Sequence, residues 1–198
     1  MISRYNNHLG RVGCIDFNHN IMATGSKDER IMLTDIRTSM PFCKFYGHRQ
    51  EVCGLKFSFD DAYLASGGND NAVFIWSPKM AKQVVKFDKH VAAVKGLAWS
   101  PHKHSLLVSG GGTTDKSIKL WNTQELKLID SIDTGSQVCN MVFSENSNEL
   151  LTTHGYSLNT IGKLSDNAAV WRQKDMKKIA TLHGHTYRVL YLALSPDG

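Results

Sequence analysis

A short pattern recurs at near-constant spacing along this chain, and no other feature constrains its fold as tightly. A valine heads an alternating apolar stretch at Val12, Val52, Val94, Val138 and Val189, so successive copies lie 40, 42, 44 and 51 residues apart. Four residues before the valine stands His8, His48, His90 or His185; only the fourth copy lacks the histidine there. Self-similarity at this period means stacked units, none of which can bury its apolar face alone. The fifth copy, from Gly184-His185 to Asp197-Gly198, stops inside its first turn.

The second copy shows the unit most plainly. Val52, Leu55 and Phe57 alternate along a first run, and Asp60-Asp61 make a polar turn. Tyr63–Gly68, Ala72–Trp76 and Gln83–Phe87 follow as three further runs, the first two separated by Asn69-Asp70-Asn71. Short β-branched and aromatic runs bounded by Asp, Asn, Gly and Ser are the strand signal, not the helix signal. Four strands per unit of about 40–45 residues describe the blade of a WD40 β-propeller. The expected fold is therefore all-β: a partial propeller of four blades, each of four antiparallel strands, plus one strand of a fifth. The chain reads as a single propeller fragment over 1–198, with repeats at about 8–45, 48–87, 90–132, 134–182 and an incomplete 185–198. In the fourth repeat, Gly162–Ala169 separates Ile161 from Val170-Trp171 and accounts for the 51-residue spacing. Ser165-Asp166-Asn167 is good turn chemistry, so a bulged loop or a shifted strand start is expected there.

Most of the recurring polar residues have a structural reading. His48, Ser66, Asp70 and Trp76 stand where a blade can chain aspartate to histidine, histidine to serine and serine to the indole N–H. His90, Ser109, Asp115 and Trp121 repeat the set. Such a network satisfies polar groups that a blade buries. The first and fourth repeats carry only part of it, and the first has Asp35 where the others have tryptophan. Of the nine histidines, His8, His48, His90 and His185 are accounted for by their phase in the repeat, and no cysteine or carboxylate cluster stands beside His183 and His185, so no metal site is expected. Gly110–Ser117 is glycine-rich but lacks the Gly-Lys-Ser/Thr end of a phosphate loop and opens no helix. No nucleophile, base and orienting group recur at a plausible spacing, which argues against catalysis.

Composition narrows the partners. The chain is 41% hydrophobic and 21% charged, ordinary for a globular protein. Cys14, Cys43, Cys53 and Cys139 form no paired short spacing and read as reduced, buried thiols of an intracellular protein. No apolar run reaches membrane-spanning length and the first residues lack a signal-peptide core. The net charge of +5 comes from scattered lysines and arginines. They are not interleaved with stacking aromatics, so neither a nucleic acid nor a membrane is an expected partner.

Residues that hold one phase of the repeat but differ between copies are candidates for binding. The position before each repeat valine gives Arg11, Glu51, Ala93, Gln137 and Arg188. The position before each turn aspartate gives Lys27, Asn69, and Thr113 with Thr114. Both sets fall at the same end of their strands. Together they make a polar rim of mixed donors and acceptors, better suited to a short extended peptide than to an apolar small molecule.

Longer strings carry a resemblance. His48–Lys56, Ala65–Asn71, Ala92–Lys95, Ala98–His102, Ser109–Thr113, Ile132–Asn140, Thr153–Ser157 and Arg188–Ala193 resemble the fizzy and fizzy-related activators of the anaphase-promoting complex, or cyclosome, with details nearer the fizzy-related branch. The resemblance covers nearly the whole chain. It implies a substrate-recruiting subunit of a ubiquitin ligase in the nucleus and cytoplasm, an adaptor with no cofactor. Its implied partners are the complex's subunits and degron-bearing substrate proteins. It also implies that Asn69, Thr113, Gln137 and Arg188, all four in the sets found by phase, contact KEN-box degrons; Arg11, Lys27, Glu51 and Thr114, found by phase alone, are further rim. Asn69, Thr113 and Gln137 can bond an amide and a peptide backbone, and Arg188 suits a carboxylate. Family members have seven blades, and the chain resembles the third to sixth plus the start of the seventh. The segments that dock on the ligase and the groove for the destruction box have no counterpart in it. Four blades in an open arc would leave sheet faces uncovered, so the chain alone is expected to aggregate or to need a second copy or fragment.

Overall fold

Sixteen short strands form because apolar alternation over five to seven residues is cut, again and again, by turns that only a few residues tolerate. The computed structural model describes residues 5–38, 40–155 and 168–195. The strands are β1 (Val12–Asn18), β2 (Ile21–Ser26), β3 (Arg30–Asp35), β4 (Pro41–Tyr46), β5 (Val52–Phe57), β6 (Leu64–Gly68), β7 (Val73–Ser77) and β8 (Lys82–Phe87). They continue as β9 (Val94–Trp99), β10 (Leu106–Gly111), β11 (Ser117–Asn122), β12 (Lys127–Asp133), β13 (Val138–Phe143), β14 (Glu149–His154), β15 (Ala168–Arg172) and β16 (Lys177–Leu182). They pair as four separate four-stranded antiparallel meanders, each made of consecutive strands. No helix occurs among the described residues. In the turns before β3, β7 and β11 the residue after the aspartate is left-handed: Glu29 at φ 68°, Asn71 at 63° and Lys116 at 55°. Asparagine tolerates that conformation; glutamate and lysine do so at a cost.

The chain divides into two compact units, Met1–Lys89 and His90–Gly198, each holding two sheets. In the first unit β5 packs on β1 and β2. Its core joins Ile31, Leu33, Phe45, Val52, Leu64 and Trp76. Trp76 stacks on Phe45 at 4.9 Å and on Phe74 at 5.2 Å between ring centroids. In the second unit β13 packs on β9 and β10. Its core joins Val108, Ile118, Val138, Phe143, Leu150 and Trp171. The repeat valine works the same way in both. Val52 lies against Gly25, where a Cβ would meet the valine Cγ1 at 2.7 Å, and Val138 lies against Gly110, where a Cβ would meet its Cβ at 2.7 Å. A bare glycine on the second strand of one sheet thus seats the first valine of the next.

Two bulges recur in every sheet. Register shifts skip one residue just past each repeat valine: Gly13, Cys53, Lys95 and Cys139. Others skip Phe42, Val84, Ile129 and Ile179 on the outermost strands. Outer bulges twist a sheet edge away from further pairing, and the lysines of β4, β8, β12 and β16 add to that protection. On β1, Ile15 and Phe17 are more than half exposed.

One expected strand does not form. The fifth repeat runs irregularly from His183 to Ser195, tied by the Val189 N–H donating to the His154 carbonyl at 3.1 Å. In the four complete repeats each first strand is hydrogen-bonded to the second strand of its own sheet, whereas the described residues 183–195 pair with no strand. Of the 162–169 stretch, 162–167 lie outside the described residues; Ala168 and Ala169 open β15, paired with Thr153 and Thr152 of β14.

Candidate functional site

The polar residues of each sheet end sort into an internal network and an outward rim. In the second sheet His48 Nδ1 lies 3.0 Å from Asp70 Oδ1 and Nε2 lies 2.8 Å from Ser66 Oγ, which accepts from Trp76 Nε1 at 2.8 Å. In the third sheet His90 reaches Asp115 at 2.9 Å and Ser109 at 2.7 Å, and Trp121 donates to Ser109 at 2.7 Å. A neutral ring with its proton on Nδ1 satisfies every partner: it donates to the carboxylate, and Nε2 accepts the serine hydroxyl, which in turn accepts the indole N–H. Burial lowers the His90 pKa against the opposing pull of Asp115. Burial would raise both aspartates, but the histidine bonds, together with the Arg49 and Val91 amides, outweigh it and hold Asp70 and Asp115 below the usual range. Burial thus favours the neutral ring at His90, and the bonds to Asp70 and Asp115 favour their charged form.

The incomplete repeats keep the network by other means. In the first sheet His8 bonds Asp28 at 3.1 Å and the Thr24 hydroxyl at 2.8 Å, with no indole; Asp35, at the tryptophan position, is held by Arg37 instead. In the fourth sheet the histidine comes from another strand. His154, at the end of β14, puts Nδ1 3.0 Å from Ser136 Oγ and Nε2 2.8 Å from Thr152 Oγ1, and Trp171 donates to Thr152 at 2.8 Å. Its counterpart in the second sheet is Gly68, where a Cβ would come within 2.5 Å of His48 Nδ1. One ring fits the site, from either direction. The sequence signal was available, since His154 follows Thr152 at the spacing by which Gly68 follows Ser66, but a search keyed to the head of the repeat passes over it.

The rim is organised by the backbone. The Lys27 amide donates to the Arg11 carbonyl, Asn69 to Glu51, and Gly155 to Gln137, each at 2.9 Å. The two sets found by phase are thus joined pairwise at one end of the first and second sheets. In the first unit Arg11, Lys27 and Asn69 are exposed and Glu51 is half-buried. Arg11 donates to Glu51 Oε1 at 2.7 Å, so these two rim charges neutralise one another. In the second unit Thr113 is half-buried beside exposed Thr114, following Gly112, whose Cβ position lies 3.2 Å from the Ala93 carbonyl. Gln137 is half-buried, with Oε1 2.6 Å from where a Gly155 Cβ would stand. Arg188 is exposed. Burial raises the Cys139 thiol pKa, and the charges of Lys95 and Arg188 pull against that rise. Lys95 Nζ reaches the Leu190 carbonyl, the Val189 N–H bonds His154, and the adjoining Gly155 N–H bonds Gln137, so the second unit brings Gln137, Lys95 and the segment that carries Arg188 into one neighbourhood. The four cysteines are free thiols, and among the described residues no group of His, Cys, Asp and Glu could hold a metal ion. No helix among the described residues is long and apolar enough to cross a membrane.

Comparison with known proteins gives this geometry a context. The CDC20/Fizzy WD40 domain model matches residues 1–198. The B-type cell cycle switch protein ccs52A of Medicago truncatula is 53% identical over 192 residues, which are 96% of this chain and 39% of that protein. The APC/C activator protein CDH1 of Saccharomyces cerevisiae is 46% identical, over 96% of this chain and 33% of that protein. The chain thus spans well under half the length of these relatives. Among solved structures, a chain of the mitotic checkpoint complex matches with a TM-score of 0.89 at 38% identity, covering 97% of this chain and 58% of that one. U3-55K matches at 0.81 with 20% identity, a likeness of fold alone. The four meanders are WD40 blades, and the fold is a partial all-β propeller.

Proposed function

The chain belongs to the CDC20/Fizzy WD40 domain family, and from that premise we propose that it is part of an activator of the anaphase-promoting complex that recruits substrates by binding KEN-type degron peptides. The match over residues 1–198 carries this reading, because the relatives it groups with include a cell cycle switch protein and an APC/C activator. The proposed contacts are Asn69 in the first unit and Thr113, Gln137 and Arg188 in the second. Amides and hydroxyls at sheet ends suit an asparagine side chain and an extended backbone. Arg188 suits the peptide's glutamate through charge-assisted bonds. Two cations whose charges both act on Cys139 favour an anionic group over a neutral one. The role is recruitment, not catalysis, with the ligase subunits and degron-bearing proteins as partners in nucleus and cytoplasm.

A fluorescent KEN-box peptide titrated with the purified chain, against a scrambled peptide, tests the reading. Asn69→Ala and Gln137→Ala should each weaken binding about five- to tenfold, the loss of one net hydrogen bond. Unchanged affinity in both variants overturns the assigned site.

A further inference from the structure

We propose that Lys95 is a positioning residue: it clamps the irregular segment that carries Arg188 to the second unit and so sets that arginine's selectivity for an acidic ligand group. The assignment begins with the inner bulges. A bulge re-aims the side chain of the extra residue. At three of the four inner bulges that residue is Gly13, Cys53 or Cys139, none longer than a thiol. In β9 it is Lys95, with a four-carbon stem and an ammonium group. Its Nζ donates to the Leu190 carbonyl at 3.4 Å and lies 4.5 Å from the centroid of the Tyr191 ring. An ammonium has three donors and no acceptor, so a carbonyl and a ring face are fitting partners.

The clamp acts on a segment that belongs to no sheet. Residues 183–195 form no strand, and Tyr191 is 78% exposed. The Val189 N–H bond to His154 holds one point, and Lys95 holds the next two residues. Arg188 stands immediately before these ties and acts electrostatically on Cys139, as Lys95 does. With the clamp released, the backbone next to Arg188 would lose two of its ties, and the guanidinium part of the preorganisation that makes a charge-assisted contact selective. The ligand half of this inference rests on the proposed degron binding; the clamp itself does not.

The test uses the full chain with Lys95→Met, which keeps most of the apolar stem, and Lys95→Arg, which keeps a cationic donor. Backbone amide exchange over residues 187–192 should quicken on the order of tenfold in Lys95→Met and stay near the parent rate in Lys95→Arg, with β9 and β13 unchanged in both. Equal exchange in Lys95→Met and parent overturns the clamp. For selectivity, affinities are measured for a KEN-box peptide and its glutamate-to-glutamine analogue. The parent should prefer glutamate, and Lys95→Met should cut that preference by about three- to tenfold, with no further cut when combined with Arg188→Ala. If Lys95→Met costs as much in the Arg188→Ala background as in the parent, Lys95 touches the ligand itself and the positioning role is overturned. Binding of neither peptide by the parent would refute the proposed function, and amide exchange alone would then decide the clamp.

Discussion

Replacing Ser66 by alanine is the sharpest probe of the network that holds a blade together. Ser66 is fully buried, and its hydroxyl serves two buried partners at 2.8 Å, Trp76 Nε1 and His48 Nε2. Alanine would strand both, an indole N–H with no acceptor and a ring nitrogen with no donor. Each stranded group costs about 1–3 kcal/mol, and the void left by one oxygen is too small for a rescuing water. Partial relaxation and removal of the hydroxyl's own desolvation reduce the sum, so the expected loss is about 2–4 kcal/mol. Thr24→Val supplies an internal control. The Thr24 hydroxyl reaches His8 Nε2 at 2.8 Å but no indole, so a valine of the same shape strands one ring nitrogen and should cost about 1 kcal/mol. Urea denaturation followed by far-UV circular dichroism gives both values. A double cycle of Ser66→Ala with Trp76→Phe should show a coupling of about 1–2 kcal/mol, because the phenylalanine has no N–H to strand. A Ser66→Ala loss under about 0.5 kcal/mol, or one equal to Thr24→Val, would refute the shared-acceptor account.

Three further outcomes follow from the same geometry. Burial depresses His90 from its ordinary 6.5, and histidine bonds outweigh burial in depressing Asp70 and Asp115 from 3.8, so the folded chain binds fewer protons than the unfolded one at all three. Stability should therefore hold above about pH 6.5, fall as pH drops through the histidine range, and fall again below about pH 4; urea midpoints that rise from pH 7 to pH 5 would contradict this sign. Gly110→Ala should cost about 1–3 kcal/mol by driving a Cβ to 2.7 Å from Val138 Cβ, whereas Gly135→Ala, in open space at φ 76°, should cost only about 1 kcal/mol of backbone strain in thermal melts. Lys116→Gly should raise stability by several tenths of a kcal/mol by relieving a left-handed lysine at φ 55°, and a lowered melting temperature would refute it.

What could be read from the sequence was what recurs in phase. The strands and turns recur because each unit solves the same burial problem. Val52 and Val138 were visible as repeat valines, although their seats on Gly25 and Gly110 became plain only in the packing. The network residues of the second and third repeats could be picked out because position and chemistry repeat together. His154 was hidden because the network needs a ring at a point in space, and that ring can enter from β14 as well as from the head of the repeat. Lys95 was hidden because its reach depends on a bulge, and a register shift leaves no residue pattern. The Arg11–Glu51 pair could have been found: the two residues hold equal phase in the first and second repeats and carry opposite charge. In the fifth repeat the alternation was legible, but its described residues pair with no strand.

A division of labour along each repeat follows from where the backbone is already satisfied. At the network, side chains satisfy side chains, so a change there strands a buried group and destabilises the blade. At the rim, backbone satisfies backbone: the amides of Lys27, Asn69 and Gly155 bond the carbonyls of Arg11, Glu51 and Gln137 whatever side chains those residues carry. The side chains can then differ from sheet to sheet, arginine, glutamate, alanine and glutamine in turn, without cost to the fold. A half-buried side chain outside the network should change stability by no more than about 0.5 kcal/mol when truncated. Gln137→Ala should therefore weaken peptide binding with the urea midpoint unmoved, the reverse of Ser66→Ala. A variant at Gln137 that lost binding only because it lost stability would show that rim and network are one structure after all.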